Sequence, residues 1–186
     1  MSDRWPHTGV VLAGGGSRRM GRPKHALRLA DGTTMIEAVT GALAELCRQV
    51  VVAGPVETSL ESIADLRPGA GPLGGIEALL ASGLDTEYLV CPCDLPLVTA
   101  TLLRRLIDTT GAVATVFHVA GEPDFWPLPA RLSATALDSV RQHLDGGQRA
   151  VHELMRSLDP EVIAVERQEA QVLVNINTPS DYEAIT

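Results

Sequence analysis

Of the 15 lysine and arginine residues in this chain, Lys24 is the only lysine. Everywhere else arginine supplies the positive charge. This position therefore asks for a compact ammonium on a flexible stem rather than a planar guanidinium. Lys24 ends the stretch Leu-Ala-Gly-Gly-Gly-Ser-Arg-Arg-Met-Gly-Arg-Pro-Lys at residues 12–24. Glycines let a backbone approach a ligand and present N–H groups to phosphate oxygens. A lysine beside them can neutralise the charge that develops when a phosphate is transferred. Arg18, Arg19, Arg22, Lys24 and Arg28 crowd into residues 18–28 of a chain whose net charge is −8. They read either as a solvated basic loop or as a site for a polyanion such as a triphosphate, and the adjacent glycines favour the second. One of Arg18 and Arg19, with Arg19 the candidate, is expected to meet phosphate; the other is expected to pair with an acid on the surface.

Two better-known phosphate loops do not fit these residues. GxxxxGK[ST] fails because Gly21 is followed by Arg22, Pro23, Lys24 and His25, and GxGxxG fails because Arg19 stands where its last glycine belongs. Asp94 lies in Cys-Pro-Cys-Asp-Leu-Pro at residues 91–96, just past an apolar run. A hard carboxylate held between prolines can bind Mg²⁺, which keeps several waters and bridges phosphates. Taken alone, the same residue could be a turn or cap carboxylate. Asn175 and Asn177 are the only asparagines in the chain.

The elements around these residues alternate. Residues 8–13, 49–53, 88–91 and 112–117 are short apolar, β-branched runs that read as buried strands, with 128–132 a further, irregular one and 162–165 and 172–174 late short ones. Helical spacing marks 34–46, 73–81, 99–107, 134–144, 148–158 and 179–185. Thr34 with Glu37 forms a capping-box pattern, and Thr99 and Thr178 stand at cap positions. Strands alternating with helices predict βαβ units and a mostly parallel sheet. Ligands in such sheets bind beyond the carboxyl ends of strands at a switch point. That rule selects residues 14–24, 91–96 and 175–179.

Composition bounds the rest. Hydrophobic residues make up 45% and charged residues 20%, as in ordinary globular domains. One domain over residues 1–186 is expected, with no repeat or linker. The acidic balance disfavours nucleic acid as a partner, and no apolar run is long enough to cross a membrane. No signal-peptide core precedes Gly14, so a cytoplasmic location is the expectation. The three cysteines, Cys47, Cys91 and Cys93, fit neither a CxxC pair nor a zinc site, and reduced, packed thiols are expected.

The stretch at 12–24 resembles the signature LAGGxSxRMGxxK of the molybdenum cofactor guanylyltransferase family. The likeness continues, in the family's order and spacing, through Gly-Pro-Leu-Gly-Gly-Ile at 71–76, Cys-Pro-Cys-Asp-Leu-Pro at 91–96 and Val-Asn-Ile-Asn-Thr-Pro at 174–179. It implies a Rossmann-like three-layer α/β/α sandwich, GTP and molybdopterin (or molybdenum cofactor) as substrates, Mg²⁺ as cofactor and molybdoenzyme-specific chaperones as further partners. It also implies attack by the molybdopterin phosphate on the α-phosphorus of GTP, with pyrophosphate released. Lys24, Arg19 and Asp94 would be catalytic, with Asp94 holding the metal. Leu12, Ala13, Gly14 and Gly15 would contact the nucleotide by backbone. Asp65 matches a nucleotide-site carboxylate, with a solvated loop acid as the alternative, and Gly71 would let the chain pass close to the nucleotide. Asn175 and Asn177 would face the second substrate or the metal region, or cap the last helix. Trp126 could stack on the pterin or pack in the core.

One position departs from the family. Its second strand often ends in an Asn that would read the base, where this chain has Ala53. A sister activity using CTP on molybdopterin, or another nucleotide on a sugar or alcohol phosphate, therefore stands as the alternative. Gly14, where cytidylyl relatives usually have alanine, favours GTP. A non-catalytic nucleotide-binding module is disfavoured by the joint presence of Lys24 and Asp94. Arg131, outside every motif, is expected to be dispensable for activity.

Overall fold

The computed structural model describes residues 4–13, 24–56, 58–109 and 111–185. Seven strands form one sheet: β1 (Trp5–Leu12), β2 (Cys47–Ala53), β3 (Ser62–Ile63), β4 (Glu87–Pro92), β5 (Ala114–Val119), β6 (Trp126–Ser133) and β7 (Glu161–Val165). Their order is β3-β2-β1-β4-β6-β5-β7. Every neighbouring pair is parallel except those that β6 makes with β4 and β5. The expected mostly parallel α/β architecture is thus present, with β6 as its antiparallel member.

Strand side chains alternate between faces, and each face has its own core. Val11, Val52, Leu89 and Cys91 pack with helices α1 (Met35–Leu46) and α3 (Ala100–Ile107) through Ile36, Val39, Leu43, Leu103 and Leu106. Val10, Leu12, Val51, Tyr88 and Val90 pack on the other face, against α2 (Pro72–Ala81), α4 (Leu137–Asp145) and α5 (Val151–Ser157). A sheet buried on both faces explains why its central strands read as unbroken apolar runs. A short last helix, α6 (Pro179–Glu183), follows Thr178.

Helix starts follow local chemistry. The Thr34 side chain accepts the Glu37 N–H while the Glu37 carboxylate accepts the Thr34 N–H at 2.7 Å, a complete capping box for α1. Thr178 and Asp181 repeat the device at α6.

The structure departs from the expected elements at three places. Residues 172–174 are not a strand: a 3-10 turn spans Glu169–Val172, and the chain beyond it pairs with no strand. Its apolar residues serve as plugs, Leu173 and Ile176 being fully buried while Val174 is exposed. The expected irregular strand at 128–132 is an eight-residue element inserted between β4 and β5. β3, a two-residue edge strand, carries no apolar run that could have announced it.

Candidate active site

The chain leaves β1 to form β2 and β3 on one side, then returns to lay β4 on the other. The carboxyl ends of β1 and β4 therefore border the switch point, where α/β sheets bind ligands. Two hydrogen bonds close this end of the sheet. The Ala13 N–H donates to the Ala53 carbonyl at 2.9 Å, and the Cys93 N–H donates to the Leu12 carbonyl at 3.0 Å. These backbone groups of Leu12 and Ala13, expected to meet a nucleotide, are taken up within the sheet. The Leu12 side chain instead lies within reach of Gly75, where an added Cβ would come to 3.2 Å from it. Gly14, Gly15 and Arg19, with Arg18 and Arg22, lie outside the described residues.

Lys24 opens a 3-10 turn, and its ammonium reaches two of the other predicted segments. Nζ donates to Asn177 Oδ1 at 2.6 Å and stands 3.6 Å from Asp94 Oδ2. The Ile176 N–H donates to the Asp94 carbonyl at 2.9 Å, so the C-terminal segment is fastened to the turn after β4. Asn177 is in turn held by its own N–H, which donates to Asp181 in the α6 capping box at 2.8 Å. The Tyr182 hydroxyl donates to the Arg28 carbonyl, tying α6 to the segment after Lys24. Arg28 donates to the Gly32 carbonyl of its own turn at 2.6 Å. Burial pushes the Asp94 carboxyl above the ordinary range; Lys24 pulls it down without cancelling that effect. A partly desolvated carboxylate of this kind gains from a cation placed beside it.

The two predicted asparagines therefore separate. Asn177 holds Lys24. Asn175 lines a cleft of about 430 Å³ with Pro92, Glu122, Phe125, Trp126 and His152. Trp126 is half-buried, packs against the core and also forms a wall of this cleft. The core-packing reading is thus met, and the residue also borders the cleft.

Asp65 borders a second cavity of about 490 Å³, lined also by Gly54, Pro55, Val56 and Ser62. Its Oδ1 is buried with no hydrogen-bond partner among the described residues, and burial raises its pKa. A buried acceptor without a partner is costly unless a ligand supplies a donor. Ala53 is buried and offers the cavity no polar side chain. Gly71 opens α2 at φ +69, a conformation L side chains rarely adopt, while an added Cβ would meet nothing within 4 Å among the described residues. Backbone conformation, rather than close packing against the protein, requires glycine there.

Burial pushes the Cys47 and Cys93 thiols up to about 12 and Cys91 well above its ordinary value. They stay protonated and inert, as packed thiols should. No group of three or more His, Cys, Asp or Glu side chains that could hold a metal is present among the described residues. No helix among them is long and apolar enough to cross a membrane.

Glu122 and His152 were not singled out by sequence. The signal that could have found them is the adjacent pair Phe125-Trp126 in a chain whose aromatic content is 3%.

A lysine–aspartate pair at the switch point of a mostly parallel α/β sheet places the chain among α/β domains that take ligands at the carboxyl ends of their strands. Comparison with known proteins makes this particular. Residues 9–163 match the model of the MobA-like NTP transferase domain, and the chain belongs to that family. It is 34% identical to a molybdenum cofactor guanylyltransferase of Xanthomonas euvesicatoria, over 97% of this chain and 94% of that one. A probable molybdenum cofactor guanylyltransferase of Pelotomaculum thermopropionicum is 31% identical over 94% of this chain and 89% of that one. Among solved structures, the molybdopterin-guanine dinucleotide biosynthesis protein A of Archaeoglobus fulgidus superposes with a TM-score of 0.78 at 25% identity, covering 96% of each chain. A 2-C-methyl-D-erythritol 4-phosphate cytidylyltransferase from Thermus thermophilus shares the fold, with a TM-score of 0.70 at 20% identity over 95% of each chain.

Proposed function

We propose that this protein transfers GMP from GTP to the phosphate of molybdopterin or molybdenum cofactor and releases pyrophosphate. An oxygen of the acceptor phosphate forms a bond to the α-phosphorus. The bond from that phosphorus to the bridging oxygen of the β-phosphate breaks, and pyrophosphate leaves with the electron pair. The observation that carries this reading is the meeting of Lys24, Asp94 and Asn177 at the switch point. Transfer between phosphates depends mainly on positioning and charge neutralisation. Lys24, held by Asn177 and Asp94, brings one fixed positive charge to the developing negative charge.

Asp94 is the residue that would hold Mg²⁺. Its carboxylate is 26% exposed, unfavourably desolvated and already near a cation. One carboxylate suits a metal that keeps its waters and takes remaining ligands from substrate phosphates. When bound, the ion would supply further neutralisation of phosphate charge. Asp65 is assigned the base: its buried oxygen, which has no partner among the described residues, suits the N–H donors on the edge of guanine. With Ala53 offering nothing polar, discrimination would rest on Asp65 and nearby backbone. Molybdoenzyme-specific chaperones would receive the product, and the cytoplasm is the compartment this role requires.

The test is pyrophosphate release by the purified protein with Mg²⁺ and molybdopterin, run with GTP, CTP, ATP and UTP in parallel. Release with GTP alone is expected. Release chiefly with CTP would move the protein to cytidylyl transfer, and no release from folded protein with any nucleotide would sink the transferase reading.

A further inference from the structure

The cleft beside Asp94 has a chemistry the transfer reaction leaves unexplained. Its volume, about 430 Å³, falls within the about 300–1,000 Å³ of small-molecule pockets. Pro92 and Asn175 form one side, and both adjoin the Asp94 turn: Pro92 precedes it by two residues, and Ile176 next to Asn175 is bonded to the Asp94 carbonyl. The other side is a loop bearing Phe125 and Trp126, which supply flat apolar walls. Such walls suit a planar ligand.

The polar groups of the cleft separate by what already occupies them. Asp124 is committed to structure. Its Oδ1 accepts the Phe125 N–H at 2.9 Å, and its Oδ2 accepts Arg156 at 2.5 Å and lies 3.3 Å from His152 Nε2. His152 is stacked on Phe125, with ring centroids 4.6 Å apart, and so stiffens that wall. Glu122 is placed differently. Its backbone is fixed, since its N–H donates to the Val119 carbonyl and its own carbonyl bonds the His118 ring, each at 3.0 Å. Its Oε2 accepts the Trp126 indole N–H at 2.5 Å. The result is a pre-oriented carboxylate at the rim of an aromatic cleft.

We infer that this cleft holds the fused nitrogen ring of the acceptor and that Glu122 is the residue that selects it, by accepting N–H donors from the ring's amino-pyrimidinone edge. The inference rests on the reading that the acceptor is a pterin phosphate. A carboxylate accepts two such donors side by side, and a ring with acceptors on that edge is repelled. Phe125 and Trp126 hold the ring plane, and Asn175 lies on the side nearest the transfer site.

Calorimetric titration with 6-hydroxymethylpterin, a probe that carries the ring without the phosphate, tests this directly. Wild type should bind it saturably. Glu122→Gln keeps an oxygen for the Trp126 N–H but loses the charge and one acceptor. It should bind the probe about tenfold more weakly while GTP affinity stays within about twofold. A second readout leaves Glu122 intact: in Trp5→Phe protein Trp126 is the sole tryptophan, and the probe should quench its fluorescence. No binding by wild type, equal binding by Glu122→Gln, or a loss of GTP affinity instead would each overturn the assignment. Pyrophosphate release, measured in parallel, separates the two readings. GTP-dependent release with Glu122-independent probe binding removes the cleft assignment and leaves the transferase. Glu122-dependent binding without release with any nucleotide does the reverse.

Discussion

Lys24 and Asp94 lie seventy positions apart in the chain and 3.6 Å apart in the fold. The proposed transfer gives each a part in charge neutralisation, and neither is part of a core cluster. Lys24→Ala and Asp94→Ala should therefore each lower kcat for pyrophosphate release by about 100-fold or more, with unchanged circular dichroism. Wild-type turnover in either purified variant would remove that residue from the mechanism. Asp65 makes a different prediction, because the proposed function gives it the base to read rather than a part in transfer. Asp65→Asn offers one acceptor and one donor where the carboxylate offered two acceptors. The preference for GTP over ATP, read as a ratio of kcat/KM, should fall about tenfold or more. An unchanged ratio would return Asp65 to the role of a loop acid.

Arg131, which its place outside the motifs marks as dispensable, belongs to the structural account of β6. It is buried at 4% exposure. It donates to Glu87 at 2.7 Å, to the Ala112 carbonyl at 2.9 Å and to Thr115 at 3.2 Å. These contacts join the antiparallel strand to the parallel strands on both sides. Arg131→Ala would leave Glu87 and Thr115 facing a void, at a cost of about 3 kcal/mol. A urea titration should show a lower midpoint at unchanged slope, while protein that remains folded keeps its activity. The expectation of a neutral position is therefore confined to catalysis, since the burial and partners of Arg131 make it structural. Motif reading finds residues that meet ligands, and a lone arginine in a strand carries no mark of the partners it will find across the sheet.

The two ends of the sheet divide their tasks. The carboxyl ends carry the site, while the amino ends are clamped by Asp85, which precedes β4. Asp85 binds His7 at 2.6 Å, Thr8 at 3.0 Å and Arg48 at 3.2 Å, so it joins β1, β2 and β4. Burial raises its pKa, but His7, the Thr86 amide and Thr8 together outweigh that, and the carboxyl titrates below its ordinary range. A depressed carboxyl stabilises the fold above the unfolded value of about 3.9, and that contribution fades as pH falls through the lower folded value. Asp85→Asn should melt a few degrees below wild type at pH 7, and the gap should close below about pH 4. A gap that persists in acid would show that packing, not ionisation, holds this corner.

Read along the chain, Thr34 and Glu37 were enough to start α1, since a capping box needs only neighbours in sequence. The apolar runs were enough to mark the central buried strands β1, β2 and β4, and the glycine-rich turn with Lys24 and Asp94 was enough to nominate a phosphate site. These are short-range or compositional signals. The bond from Lys24 to Asn177 spans 153 positions and exists because the last segment is tied to the Asp94 turn. The insertion of β6, the plug made by Leu173 and Ile176, and the cleft walled by Trp126, Glu122 and His152 likewise depend on which surfaces meet. Residue types and local spacing decided the chemistry this protein can do. Packing across the sheet decided which groups do it together, because proximity between distant segments is set by shared burial and not by any pattern either segment carries alone.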